Sequence, residues 1–110
     1  MILTGDLASV GYEIACELLE KHKVPIKQTR YYDCGLMMYD LEKQSVQAGG
    51  SGCACSATVT YGHVLKRIQK GELKRVLIVA TGALLSPLSF QQGESIPCIA
   101  HAVAIESEVN

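Results

Sequence analysis

Between positions 48 and 56 the chain reads Ala48-Gly49-Gly50-Ser51-Gly52-Cys53-Ala54-Cys55-Ser56, and a helical pattern follows at once. A glycine-rich turn that feeds a helix leaves several backbone N–H groups aimed at one point, with the positive end of the helix dipole behind them. Such a point suits an anion. The candidate donors are the N–H groups around Gly50, Ser51, Gly52 and Cys53, and Ser51 and Ser56 add hydroxyls able to donate to a carboxylate. No Lys-Ser or Lys-Thr pair follows the glycines, so this is not a Walker loop and a nucleotide is disfavoured. As a purely structural element, the same stretch would be a tight turn needing positive φ and close helix–sheet contact.

Ser86-Pro87 stands in a loop after an apolar strand, at the carboxyl edge where α/β sheets bind ligands, which makes Ser86 the second candidate pocket residue. Cys53-x-Cys55 with His63 has the residue types of a metal site without the spacing. Zinc pairs are usually about two to four residues apart, a second pair is missing, and His63 lies about two helical turns on. No metal ion and no cofactor is expected. A helix N-terminus would activate Cys53 or Cys55 as a nucleophile, but no general base lies near in sequence, and small buried residues are the better reading of both. His101, between Ala100 and Ala102 in an apolar strand, reads as a core histidine rather than a catalytic base. His22 reads as a charge at a helix C-terminus, and Asp6 as a helix N-cap in a position that could also face the pocket.

The elements that must hold these residues follow from periodicity. Leu7, Val10, Ile14 and Leu18 recur at helical spacing after Asp6, and Pro25 ends the pattern, which predicts a first helix over 7–22. Tyr31, Tyr32 and Tyr39 flank Gly35-Leu36-Met37-Met38, a mixed signal read as one interrupted strand or two short ones. Positions 40–44 form a polar connection, and 45–48 return as a short extended piece before the glycine turn. The second helix starts near positions 53–56, turns Val59, Leu65 and Ile68 inward, and ends at Gly71 as its left-handed terminator. Gly62 inside it costs about 1 kcal/mol relative to alanine, which points to close approach of another backbone. Positions 75–81 read as a strand covered on both faces, since Val76-Leu77-Ile78-Val79-Ala80 shows no alternation. A second strand covers 99–105.

With 110 residues, 48% of them hydrophobic, the chain is of single-domain size and can bury one core without metal or disulfide staples. Ten Lys and Arg against 11 Asp and Glu give a formal net charge of −1, which offers no broad basic field and disfavours nucleic acid. No apolar run approaches the roughly 20 residues needed to span a bilayer, so the chain reads as soluble. Five cysteines in no regular framework fit a reducing interior.

The motifs also carry a resemblance. Thr4-Gly5-Asp6-Leu7 with Val10-Gly11, Asp33-Cys34-Gly35-Leu36, Gly49-Gly50-Ser51-Gly52, Ala80-Thr81-Gly82-Ala83-Leu84-Leu85-Ser86-Pro87 and Ile96-Pro97-Cys98-Ile99-Ala100-His101-Ala102 together resemble a sporulation family of the thiolase-like superfamily. The order of glycine turn, helix, basic link, buried strand and small-residue loop looks like the last third of a thiolase or ketoacyl synthase. The resemblance covers nearly the whole chain, which corresponds to the C-terminal third of such a protein. It implies an α/β fold, the C-terminal part of a thiolase-like fold, with a mixed sheet and packed helices, and residues 1–110 as a single domain that is a fragment of the C-terminal half. The function implied is binding of dipicolinic acid (pyridine-2,6-dicarboxylate) for its uptake into the developing spore and release at germination. The pocket would draw on Gly50, Ser51, Gly52, Cys53 and Ser86, with its other wall in the absent N-terminal region. Implied partners are other membrane proteins of the same spore channel and a second copy in a homodimer, at the periphery of the spore's inner membrane. Whether calcium accompanies the ligand is left open.

Departures from the enzymes of that fold matter as much as the matches. Many condensing enzymes of this superfamily carry a histidine in the loop before the first helix and an asparagine in the glycine turn. Here those places hold Thr4-Gly5-Asp6 and Gly50-Ser51-Gly52. Without an imidazole and a carboxamide to stabilise the developing enolate oxygen, the electrostatic part of catalysis largely disappears. The resemblance therefore implies a shell kept for binding with its chemistry lost. One alternative is an acyltransferase or condensing enzyme of the ketoacyl synthase type whose nucleophile lies in the missing N-terminal part. Another is a structural adaptor that binds no small molecule.

Overall fold

The computed structural model describes residues 1–49 and 52–108. Four strands form one mixed sheet in the order β2-β1-β3-β4, with β1 Ile2–Thr4, β2 Tyr31–Asp33, β3 Arg75–Ala83 and β4 Cys98–Glu106. β1 runs parallel to both β2 and β3, with Thr4 opposite Asp33 on one side and Val79 on the other. β4 is antiparallel to β3 along a ladder from Arg75↔Glu106 to Ala83↔Cys98. This is the expected α/β architecture, a mixed sheet with helices packed on it.

Helix α1, Ala8–Lys21, links β1 to β2. The crossover from β2 to β3 runs back past β1, through α2 Cys34–Met38, α3 Cys55–Val59, a π turn Thr60–Val64 and α4 Leu65–Gln69. Parallel crossovers are right-handed, so connections leading in opposite directions lie on opposite faces of the sheet. The packing agrees. Leu3 and Val76 join Cys34, Cys55, Val59 and Val64 in the buried core, flanked by Met1, Ile78 and Ile68. On the other face Tyr31 stacks on Tyr12 of α1 with ring centroids 4.7 Å apart, and the Tyr12 hydroxyl donates to the Tyr31 carbonyl.

The helix over 55–69 is continuous but not regular. In an α-helix, residues five apart point about 140° away from each other. Here the π turn adds a residue to the turn and brings Val59 and Val64 into the same core. Gly71, at φ +75°, terminates the helix as expected.

Several local expectations are corrected. Asp6 is not the cap of α1, which starts at Ala8 with Leu7 at its N-cap and no capping bond from its own side chain. Gly35-Leu36-Met37-Met38 is not strand. Asp33 ends β2 and caps α2 by accepting the Gly35 N–H, which turns the chain into a helical turn. Positions 45–48 form turns rather than an extended piece, and the Gly49 N–H donates to the Val46 carbonyl. Gly62 is exposed, and a Cβ built there would meet nothing within 4 Å, so no second backbone approaches it.

Coverage of the sheet is also thinner than the apolar run implied. Val76 is buried and Leu77, Ile78 and Val79 are half-buried, whereas Ala80, Gly82 and Ala83 are exposed. β4 is exposed at every position but Ile105, so His101 lies on an open strand and not in a core. The ladder between β3 and β4 projects as an arm, and the radius of gyration of 15.4 Å exceeds the ~13 Å of a compact chain of this length. Apolar side chains gather at its tip, with Leu85 77% and Phe90 86% exposed beside Leu84 and Leu88.

Candidate ligand-binding site

The strand order changes direction at β1, so the crevice beyond the carboxyl ends of β1 and β3 is where a sheet of this kind opens to a ligand. Gly5 and Asp6 leave β1 there. A Cβ on Gly5 would lie 3.0 Å from the Thr81 hydroxyl oxygen and 3.6 Å from Cβ of Ser56, so glycine lets three segments converge. The Asp6 N–H faces the Thr81 hydroxyl oxygen at 3.3 Å. Thr81 and Ser56 thus reach the crevice from β3 and from the start of the long helix.

Asp33 organises this corner. Its carboxylate is 1% exposed and accepts from the Thr4 hydroxyl at 2.6 Å and from the N–H groups of Leu7, Ala8 and Gly35 at 2.9, 3.1 and 3.1 Å. Two of these are orphan donors at the start of α1, so the capping that sequence assigned to Asp6 is done by a carboxylate 25 residues beyond Ala8. Ala8 adopts φ +55° to aim its N–H this way, a left-handed conformation unfavourable by about 1–2 kcal/mol for a residue with a Cβ. One buried anion satisfied by four donors therefore ties β1, α1, β2 and α2 together.

Asp6 is thereby released for the glycine turn. The Gly52 N–H donates to the Asp6 carboxylate at 2.7 Å. Gly52 has φ +88° and Gly49 has φ +84°, conformations that favour glycine, and a Cβ on Gly49 would come within 2.9 Å of Leu41. Gly35 is equally constrained, since its Cβ would lie 2.5 Å from an Asp6 oxygen and 2.9 Å from the Gly49 carbonyl. Gly35 and Gly49 press the turn, α2 and the loop after β1 into one contact, and Gly52 joins them through its bond to Asp6.

Of the sequence-derived pocket residues, Gly50 and Ser51 lie outside the described residues. Gly52 holds Asp6, and Cys53 is exposed in the turn two residues before α3, which separates it from Cys55, the buried one of the pair. Ser86 is half-buried and accepts the Leu88 N–H at 3.3 Å as N-cap of α5, Pro87–Gln91. Asp33 and Thr81 were not foreseen from the motifs, whereas Asp6, read first as a cap, takes the alternative also given for it and faces the glycine turn. The proximity of Thr81 to Gly5 depends on the β1–β3 register, which no local pattern encodes.

Two thiols at the site, Cys34 and Cys55, are buried and so poor nucleophiles. Burial, reinforced by Cys55 and by the Asp33 and Asp6 carboxylates, pushes the Cys34 thiol up to about 12. Cys55 is buried with its sulfur 3.4 Å from that of Met38. Among the described residues, no group of three or more His, Cys, Asp or Glu side chains could hold a metal ion. The arrangement is suited to receiving a carboxylate on backbone amides and hydroxyls, and the carboxylate of Asp6 already accepts the Gly52 N–H.

Comparison with known proteins gives this corner a context. A family model described as stage V sporulation protein AD (SpoVAD) matches residues 1–106. Stage V sporulation protein AD of Bacillus subtilis (strain 168) is 54% identical over 106 residues, which is 96% of this chain and 31% of that relative. The chain spans about a third of the length of the curated relative it matches.

Proposed function

Because the chain belongs to the stage V sporulation protein AD family, we propose that it supplies one wall of a receptor for dipicolinic acid that serves uptake into the developing spore and release at germination. The site of action is the forespore or spore, at the periphery of its inner membrane, beside membrane proteins of the same channel and as a homodimer. Residues 1–110 act as a fragment of the C-terminal half of a thiolase-like fold that binds and does not catalyse.

The observation that carries this reading is the bond from the Gly52 N–H to the Asp6 carboxylate, because it supports reading the glycine turn as a carboxylate receptor occupied by the chain's own side chain. A planar dicarboxylate competes for that amide. Gly50, Ser51, Gly52 and Cys53 supply N–H donors, Ser51 and Ser86 supply hydroxyls, and the rest of the family's chain supplies the opposite wall. A calcium ion carried with the ligand would offset the repulsion between its carboxylates and Asp6.

Calorimetric titration of the full-length protein with dipicolinate, with and without calcium, tests the reading. Ser51→Leu is expected to weaken binding, and unchanged affinity removes Ser51 from the site. Turnover of a coenzyme A thioester by the full-length protein would favour the condensing-enzyme alternative, whose nucleophile cannot be the Cys34 thiol held near 12.

A further inference from the structure

The formal charge of the chain is almost balanced, but the fold separates its signs. Helix α1 runs back from the carboxyl end of β1, so its C-terminus and the segment leading into β2 return to the edge where the parallel strands begin. That segment carries Lys21, Lys23, Lys27 and Arg30. The helix over 55–69 ends at the same edge, and Lys66, Arg67, Lys70, Lys74 and Arg75 lie on its last turns and at the start of β3. Nine of the ten Lys and Arg residues therefore share one edge of the sheet, against four carboxylates there: Glu20, Glu72, Glu106 and Glu108. The tenth, Lys43, lies beyond the carboxyl ends, where Asp6, Asp33, Asp40 and Glu42 also lie.

Helix dipoles account for basic residues in last turns, but not for Lys27, Arg30, Lys74 and Arg75, which lie outside the α-helices. Among the described residues, only Arg67 and Arg75 of the nine make an ion pair, with Glu72 at 2.9 Å and Glu106 at 2.7 Å. Lys27, Arg30 and Arg75 line one groove of about 460 Å³ with Ile2, Pro25 and Leu77, which joins the two basic segments into one surface. Between Lys23 and Lys27 the chain presents Val24 and Pro25, both exposed, above Ile26.

We propose that this strand-start edge is a docking surface for an anionic lipid bilayer. Clustered ammonium and guanidinium groups are drawn to anionic headgroups within a Debye length of about 8 Å at physiological salt. An apolar tip flanked by lysines matches the interface, where the apolar part is buried and the cations stay at the headgroups. Contact on this edge leaves the Asp6–Gly52 corner at the opposite end of the strands, facing away from the bilayer. The inference deepens the peripheral-membrane part of the reading above and is independent of which ligand the glycine turn holds.

The test is co-flotation of the full-length protein with vesicles of phosphatidylcholine alone or mixed with phosphatidylglycerol, at low and high salt. Binding is expected only with phosphatidylglycerol, to weaken steeply with salt, and to fall by at least ~25-fold in Lys27→Glu/Arg30→Glu and in Lys70→Glu/Lys74→Glu. Lys43→Glu should bind like the parent. Equal binding to both vesicle types, no binding to either, or variants indistinguishable from the parent overturns the assignment, and two separate double variants guard against one that fails to fold. Dipicolinate titration of the same samples separates the two ideas: a variant that keeps its ligand and loses the vesicle has lost only this edge.

Discussion

The Gly52 N–H donates to the Asp6 carboxylate across 2.7 Å of space and 46 residues of sequence. The bond closes the glycine turn onto the loop after β1 and places a negative charge against the turn's amide. If the ligand carboxylate takes the Gly52 amide, Asp6→Asn removes the competing anion. Dipicolinate affinity of the full-length protein should then rise by about fivefold, as expected for losing one like-charge contact of ~1 kcal/mol. Weaker binding in titration calorimetry would instead make Asp6 part of the receptor.

Asp33→Ala should be the most damaging single change in the corner. It leaves three backbone N–H groups without their acceptor and the Thr4 hydroxyl with only the Tyr32 carbonyl at 3.3 Å, at a cost of about 3–5 kcal/mol. Urea unfolding followed by circular dichroism checks this, and a loss under ~1 kcal/mol would contradict the clamp.

The glycines should separate by neighbour rather than by motif. Gly35→Ala and Gly49→Ala both drive a Cβ to within 3 Å of other atoms, and Gly35 meets backbone as well as side chain. Each should destabilise by about 2–4 kcal/mol, Gly35 more. Gly52→Ala meets no neighbour and carries only the strain of φ +88°, about 1–2 kcal/mol. Gly62→Ala should stabilise the chain by up to ~1 kcal/mol, since the site is open and alanine is the better helix former. Thermal melts of the four variants give the order.

The buried thiol sets an alkaline limit. Below about pH 9 both folded and unfolded chains keep the Cys34 proton, and its contribution to stability is fully present. As pH rises from there towards about 12, the unfolded chain gives up the proton while the folded chain retains it, so stability falls. Tyr12 and Tyr31, also raised by burial, add in the same direction above pH 10. Cys34→Ala should flatten the decline between pH 9 and 10, read by urea unfolding at each pH. In the native chain at pH 8, a thiol reagent should modify the exposed Cys53 and Cys98 quickly, and Cys34 and Cys55 only on unfolding.

Much of this was legible beforehand. The long helices, the terminator Gly71 and strands β3 and β4 follow from periodicity and turn chemistry, and the family follows from motifs spread along the chain. What sequence could not supply was the partner of each polar group. Asp6 looked like a cap because it precedes an apolar period, yet Asp33 sits opposite Thr4 across β1 and β2 and takes the donors first. Gly35-Leu36-Met37-Met38 has strand-like neighbours, but a capped turn overrides propensity once Asp33 accepts from Gly35. His101 and the alanines around it lie in a strand that none of the described residues covers, and an apolar pattern cannot say which layer hides it.

The π turn at Thr60–Val64 divides the long helix into two segments with separate rotational settings. The leading segment brings Ser56 beside Gly5 while Cys55 and Val59 enter the core, and the trailing one reaches that core through Val64 and Ile68. Deleting a single residue there would let the helix anneal into a regular coil, swinging its front end about 100° around its axis relative to its rear. The glycine corner would then be dismantled from ten residues away, with every atom of the turn still in the polypeptide.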